Sequence, residues 1–297
     1  MTRTIGVIGT GYWADRCHAA GIEQRDDLEF VGVWGRDVST TDDFAHRHRT
    51  AAFRSPAELF ATVDLVSFAV PPFIQAALAP EAADAGCHLL LEKPIATSSE
   101  AADRIVEACR RNGVLSVVNF SNLLGGVTGR WMDEVVIPET WDGGSVTILS
   151  DLRVTDTPFS NSEWRRLDNG SLWDAGPHAL SLLVAGLGPV SDVQSQHGVG
   201  DTYVLSLGHD LGGVSSVLLS YSVAAGASKF RAEFWGAEGF TAAPTTPPSR
   251  DPSLVGAIAP ALAALVAAIE SGRPSPYDAA FGAEIVQVLA QADQKEH

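Results

Sequence analysis

The chain has 297 residues, 45% hydrophobic and 19% charged, which suits two domains or one large α/β unit with a buried core. Twenty Lys and Arg against 36 Asp and Glu leave a formal net charge of −16, without the cationic footprint of a nucleic-acid or anionic-membrane binder. Three cysteines, Cys17, Cys87 and Cys109, have neither disulfide-framework nor zinc spacing, so a reducing, cytoplasmic setting and no metal are expected.

A short apolar run, Thr4–Gly9, opens the chain as a strand, with no secretory h-region before it. Gly9-Thr10-Gly11-Tyr12-Trp13-Ala14 follows and leads into a helix-like stretch to about Arg25. A second β-rich run, Leu28–Trp34, ends at Gly35-Arg36-Asp37. Further strands are expected at 64–70, 88–91 and 114–120, with helices at about 38–48, 74–85 and 98–112. Ser55-Pro56-Ala57-Glu58 reads as an N-cap, a proline at the first helical position and an early acidic residue, and Ser98-Ser99-Glu100 reads similarly. Strands alternating with helices imply a doubly wound parallel sheet, a Rossmann domain over 1–121.

The motif Gly9-x-Gly11-x-x-Ala14 has a mechanical meaning. The first glycine allows a tight strand-to-helix turn, the second lets backbone approach a pyrophosphate, and the small third residue lets helix and strand pack closely. The anion would then sit on the positive end of the helix. At the end of the second strand, NAD binders place an acidic residue on the ribose hydroxyls. Here Trp34 and Gly35 occupy that place and Arg36 follows, a guanidinium suited to a 2′-phosphate. NADP is favoured and NAD stays open, since Asp37 could turn back to the ribose.

Leu91-Glu92-Lys93-Pro94 stands at the end of the 88–91 strand, where open α/β sheets bind ligands. Hydride exchange at a carbinol carbon needs a proton donor or acceptor at the substrate oxygen, a role open to Lys93. Glu92 could orient that lysine or hold a ribose. Further on, Asp174 and His178 in Gly170-Ser-Leu-Trp-Asp-Ala-Gly-Pro-His178 are four apart and share a helix face. Leu172, Ala175, Ala179 and Leu182 form an apolar stripe beside them, and Pro177 predicts a kink or a late start. An intrahelical Asp–His hydrogen bond in the core is the alternative.

With the glycine turn, the Glu-Lys-Pro motif and this second signature in order, the whole chain resembles the Gfo/Idh/MocA oxidoreductases. The resemblance implies that Lys93 is the catalytic acid–base group, that His178 holds the substrate oxygen and that Asp174 accepts a hydroxyl. It implies cofactor contacts from the glycine turn, Arg36, Pro71, Glu92 and Lys93, and from Trp164 and Arg165, a segment that reaches across to the dinucleotide in the family. Asn119 joins Lys93, Asp174 and His178 as a substrate contact. Three departures from the family pattern are present, and the last two, which remove substrate-facing charges, leave the substrate open. Val70-Pro-Pro-Phe-Ile-Gln75 lacks the usual histidine, Ser181 replaces an acidic residue, and Val118-Asn-Phe-Ser-Asn122 lacks a basic one.

From about 144 the pattern becomes alternating. Val146–Val154 and Lys229–Trp235 read as strands, as do 201–208 and 213–221, in a sheet with one open face. A Pro/Thr-rich loop is expected at Thr241–Ser253, then helices at 254–271 and 278–293. The apolar stretch Leu254–Ile269, broken by Gly256 and Pro260, is shorter than the roughly 20 residues of a bilayer span. Residues 122–297 are thus expected to form an α+β substrate-binding and oligomerisation domain with an open, mostly antiparallel sheet, its last helix able to pack back on the first domain. The family resemblance implies a homodimer or homotetramer through that sheet. The expected activity is hydride transfer between NADP(H), or NAD(H), and a sugar, nucleotide sugar, cyclitol or similar polyol or ketosugar. A catalytically inactive dinucleotide or sugar sensor of the same fold is the rival.

Overall fold

The computed structural model describes residues 2–137, 139–156, 163–237, 239–245 and 254–294, and the chain divides into two compact units. The first takes the residues up to Ser121 together with the described segment 254–283, and the second runs from Asn122 to 245 and again from Glu284. In the first unit β1 (Arg3–Ile8) leads through a π-helical stretch, Ala14–Ala19, into α1 (Ala20–Ile22). Then come β2 (Leu28–Trp34), α2 (Val38–His48), β3 (Ala51–Ala52), α3 (Pro56–Phe60), β4 (Leu65–Phe68), α4 (Pro72–Asp84), β5 (His88–Leu91), α5 (Ser99–Asn112) and β6 (Ser116–Val118). All strands are parallel, in the order β3-β2-β1-β4-β5-β6. Ile5, Val7, Leu65, Val66, Leu89 and Leu90 are fully buried, because a parallel sheet is covered on both faces. Ser55 and Ser98 cap α3 and α5 by accepting from Glu58 N and Ala101 N.

The second unit contains α6 (Ser121–Leu124, whose first residue closes the first unit), α7 (Gly126–Trp131), a π-helical stretch Met132–Val136, β7 (Gly143–Leu149), α8 (Gly170–Leu187), β8 (Val190–His197), β9 (Tyr203–His209), β10 (Val214–Ser220), β11 (Lys229–Gly236) and β12 (Gly239–Ala242). The sheet order is β12-β11-β7-β10-β9-β8, antiparallel except for the β7–β10 pair. Val146, Leu205, Leu207, Val217, Leu219, Ala232 and Phe234 are buried on the inner face, where β7 and β10 contact α8. The strand expected over 146–154 stops at Leu149. Asp151 instead closes a turn, its carboxylate accepting from Gly226 N (2.9 Å) and Ser228 Oγ (3.0 Å). Pro177 neither breaks nor delays α8, which runs unbroken from Gly170, and the stripe Leu172, Ala175, Ala179 and Leu182 is buried as expected.

Two helices end the chain, α9 (Ala259–Ser271) and α10 (Ala279–Ala292), the latter counted with the second unit from Glu284 onward. The helix expected from 254 begins at Ala259, after a 3₁₀ turn over Val255–Ala257. The segment 254–283 groups with the first unit for visible reasons. The Cys17 thiol donates to Leu254 O (3.3 Å), Val118 N to Tyr277 O (2.9 Å) and Ala279 N to Ser116 Oγ (3.0 Å). From residue 246 onward, the loop expected at 241–253 lies outside the described residues. Among the described residues, no helix is long and apolar enough to cross a membrane. Cys17, Cys87 and Cys109 are buried, free thiols.

The turn after β1 requires a glycine at one position and leaves room at another. Gly9 has φ +120°, and a Cβ there would lie 2.4 Å from the Ala69 carbonyl oxygen. At Gly11 a Cβ would meet nothing within 4 Å. Gly9→Ala should therefore lower stability by about 2 kcal/mol or more, the scale of a forced left-handed residue with a backbone clash. Gly11→Ala should stay within about 0.5 kcal/mol of wild type. Urea unfolding of the two variants checks the contrast.

Candidate active site

Because the first sheet is parallel, its carboxyl-terminal ends share one edge, with the order reversing between β1 and β4. That edge carries Gly9–Ala14 after β1, Arg36 after β2, Pro71 after β4, Glu92 and Lys93 after β5 and Asn119 after β6. Ala14 is fully buried, which lets its helix lie close to the sheet, whereas Gly11 and Tyr12 are exposed. The first amides of a helix have no intrahelical acceptor, and its positive end favours an anion. With open space at Gly11, this turn fits the pyrophosphate of a dinucleotide.

At the end of β2, a Cβ on Gly35 would meet the Thr10 side chain at 2.7 Å, so Thr10 and Gly35 pack as one unit. Arg36 is exposed. Asp37 Oδ1 accepts from Thr40 N and Thr40 Oγ1, both at 2.7 Å, so Asp37 is the N-cap of α2. These bonds, the backbone one first, hold its carboxyl below the usual carboxylate range.

The β5 end is built around Glu92. Its backbone continues past the ladder by pairing with a side chain. Glu92 N donates to Gln75 Oε1 (2.8 Å), and Gln75 Nε2 donates to Glu92 O (2.7 Å). Gln75 is fully buried and also donates to Ile95 O (3.2 Å), on the far side of the cis Lys93–Pro94 bond. Three side chains converge on Glu92 Oε1: Trp13 Nε1 (2.9 Å), Asn119 Nδ2 (2.8 Å) and His18 Nε2 (3.1 Å). A carboxylate only accepts, so His18 donates from Nε2, and its Nδ1 is hydrogen-bonded to Ser67 Oγ (2.7 Å). Burial pushes the Glu92 carboxyl up. The hydrogen bond and charge of His18, with the bonds from Asn119 and Trp13, outweigh it and leave the group below the usual carboxylate range. The same logic fixes Asn119 with its amide nitrogen toward Glu92, and its Oδ1 is buried without a partner among the described residues. Lys93 stands next in the chain and is half-buried.

The second unit has its own polar cluster on α8. Asp174, 6% exposed, accepts on Oδ2 from Arg165 Nε (2.9 Å) and Tyr221 Oη (2.8 Å). Burial, followed by the charge and hydrogen bond of Asp174, pushes the Tyr221 phenol well up, so it stays a donor. Arg165 also lies over the Trp164 ring, 4.6 Å from its centroid. Arg165, expected on the cofactor, contacts Asp174. His178, one turn along α8, is half-buried. Tyr221 is itself held by the fully buried Asp201, which accepts from Tyr221 N (3.1 Å) and Ser222 Oγ (2.8 Å).

Sequence reasoning singled out neither His18, Ser67, Gln75 nor Tyr221 as site residues. A signal for His18 was present: it lies within the otherwise apolar run Cys17–Ile22, and a buried imidazole needs partners for both nitrogens. Tyr221 and Ser67 carry no such mark, since aromatic and hydroxyl residues are ordinary near strand ends.

Residues 3–120 match the family model described as the oxidoreductase family with an NAD-binding Rossmann fold, GFO_IDH_MocA. The chain is similar to D-glucoside 3-dehydrogenase of Escherichia coli (strain K12), 29% identical over 62% of this chain and 54% of the relative. It is also similar to scyllo-inositol 2-dehydrogenase (NADP(+)) of Bacillus subtilis (strain 168), 28% identical over 72% and 65%. The chain thus spans between half and two thirds of the length of these relatives. A solved structure, GenD2 from gentamicin A biosynthesis in complex with NAD, shares the fold, with TM-score 0.80 and 20% identity over 98% of this chain and 95% of that one. The domain spanning 3–120 is thus similar to the Gfo/Idh/MocA oxidoreductase family, whose model describes an NAD-binding Rossmann fold.

Proposed function

We propose that the protein is an NAD(P)-dependent oxidoreductase that interconverts a ring hydroxyl and a carbonyl on a sugar, nucleotide sugar, cyclitol or similar polyol, with NADP(H) preferred. The observation that carries this reading is the β5 end, where Lys93 follows a carboxylate locked by three donors. The names of the two relatives, which act on a glucoside and an inositol, support a secondary ring alcohol as substrate.

A nicotinamide dinucleotide, when bound, supplies or takes up the hydride. The backbone from Gly9 to Trp13 would hold its pyrophosphate, with Thr10, Tyr12, Ala14 and Pro71 shaping the cleft. Lys93 gives a proton to the carbonyl oxygen in reduction and takes one from the hydroxyl in oxidation. His178 and Asp174 orient substrate oxygens, and Arg165 and Tyr221 hold Asp174 for that task. Asn119 Oδ1, buried and unsatisfied within the described residues, is an acceptor suited to a ligand N–H or O–H. Trp164 stays a candidate cofactor contact. Replacing Lys93 by Met should retain NADPH binding, read by nicotinamide fluorescence, and lower turnover of glucosides or inositols by about 100-fold or more. Turnover equal to wild type would remove Lys93 from the chemistry.

The preference for NADP(H) rests on Arg36, exposed at the end of β2, and on Asp37, whose Oδ1 serves α2. A guanidinium on a 2′-phosphate makes charge-assisted bonds that a ribose hydroxyl cannot match. Arg36→Ala should weaken NADPH binding about tenfold or more and change NADH binding less than about twofold. Equal losses for both cofactors would contradict the assignment.

The outer face of the second sheet supports a homo-oligomer. By register, Phe240 pairs with Trp235, Trp235 with Gly143 and Gly143 with Val214. Phe240, Trp235 and Val214 are 63%, 38% and 58% exposed, a flat apolar row that a second copy of the chain would cover. A Cβ on Gly143 would lie 2.5 Å from the Trp235 ring, so the indole lies flat across the sheet. Sedimentation equilibrium at about 10 μM protein should show a dimer or larger, and Phe240→Glu with Val214→Glu should yield monomer. A wild-type monomer under those conditions rules out the interface.

A further inference from the structure

The buried chain Ser67–His18–Glu92 stands immediately before Lys93, and nothing in the proposed reaction has yet used its first two members. Both are fully buried, one at β4 and one on the helix after the glycine turn, and they meet the Glu92 carboxylate at the β5 end. We infer that His18, braced by Ser67, is a positioning residue: it holds the Glu92 carboxylate, the group just before Lys93 in the chain, in one orientation for the proton transfer. This rests on the reading of Lys93 as the proton donor and acceptor.

Two features distinguish this arrangement from an ordinary satisfied core histidine. First, three donors converge on a single carboxylate oxygen, which fixes the rotation of the carboxylate group as well as compensating its burial. Second, the network leaves Asn119 Oδ1 buried and unpaired among the described residues, a cost that a purely stabilising network would avoid. Such residual cost is expected where an arrangement serves a ligand or a reaction. His18 is the member whose geometry is fixed from both ends, since one ring nitrogen donates to Glu92 and the other is hydrogen-bonded to Ser67 Oγ.

Among the described residues, the titratable groups that interact with Glu92 from the helix are His18 and Cys17, and Lys93 follows it in the chain; Trp13, Gln75 and Asn119 do not titrate. Burial and the Glu92 charge push the Cys17 thiol up, so it stays protonated and contributes no competing charge. Loss of the His18 donor leaves desolvation less opposed and moves Glu92 titration upward.

The test compares His18→Leu, which removes the donor, with His18→Gln, whose amide N–H reaches about the Nε2 position. The Glu92 carboxyl is followed by ¹³C NMR in the full chain without substrate and assigned with Glu92→Gln. In His18→Leu its titration should rise by about one pH unit or more. With NADPH and a ketosugar or inosose turned over by wild type, kcat should fall about tenfold or more, with KM for NADPH within about twofold. The low-pH limb of the kcat profile should move up in step with Glu92, and His18→Gln should recover most of both effects. If His18→Leu does not fold, Ser67→Ala should give a smaller shift of the same sign. An unmoved Glu92 titration overturns the inference. So does a moved titration with kcat and its pH limb unchanged, while Lys93→Met is inactive; the Lys93 reading then stands without His18. Wild-type turnover by Lys93→Met removes the reading and the positioning role with it.

Discussion

A carboxylate taken out of water at the end of β5 constrains everything built around it. Glu92 is 13% exposed, and an ionised group so placed must be compensated or must take up a proton. The surroundings compensate it with hydrogen bonds, each worth about 1.5–3 kcal/mol when the acceptor is charged. The donors come from the helix after β1 and from the end of β6, and Gln75 of α4 pins the Glu92 backbone. Four separate pieces of the chain must therefore be in register before the charge is satisfied. Here the polar network specifies the fold locally and prepares the site together.

That registration is possible because the sheet is parallel. Strands running one way deliver their carboxyl ends to one edge, so segments 27 to 79 residues apart in sequence reach a common carboxylate oxygen. The β1–β4 reversal opens the crevice there, and Gly9 lets the chain turn under the Ala69 carbonyl without a side chain intervening. The wide π-helical turns over Ala14–Ala19 then carry His18 onto Ser67 and Glu92. π-turns of this kind occur often at functional sites, where they re-aim a side chain.

The parts legible in the sequence were those written in local chemistry. The glycine turn, the Ser55 and Ser98 caps and the strand at 88–91 each follow from neighbouring residues alone. The inner-face alternation of Ala232 and Phe234 was equally clear, and both are fully buried. The illegible parts depend on partners distant in sequence. β3 and β12 are too short to show a period, and β8, with the sequence VSDVQSQH, alternates too weakly for a strand that is largely exposed. The strand expected through Val154 fails because Asp151, polar and in phase with the alternation, is claimed by Gly226 and Ser228 some 75 residues away. The contact between Arg165 and Asp174 was hidden for a different reason: each looked like a ligand contact by itself, and only the fold shows that one supports the other.

The two polar clusters solve the same problem by different means. Glu92 is held by three ring and amide donors, from Trp13, His18 and Asn119, that converge on one oxygen. Asp174 is paired with a guanidinium and a phenol, so its charge is balanced where it sits. A carboxylate paired with a cation acts chiefly as a fixed acceptor with defined geometry. Under the proposed function, the β5 end would serve the proton and α8 the substrate hydroxyl, each carboxylate held by its own set of donors.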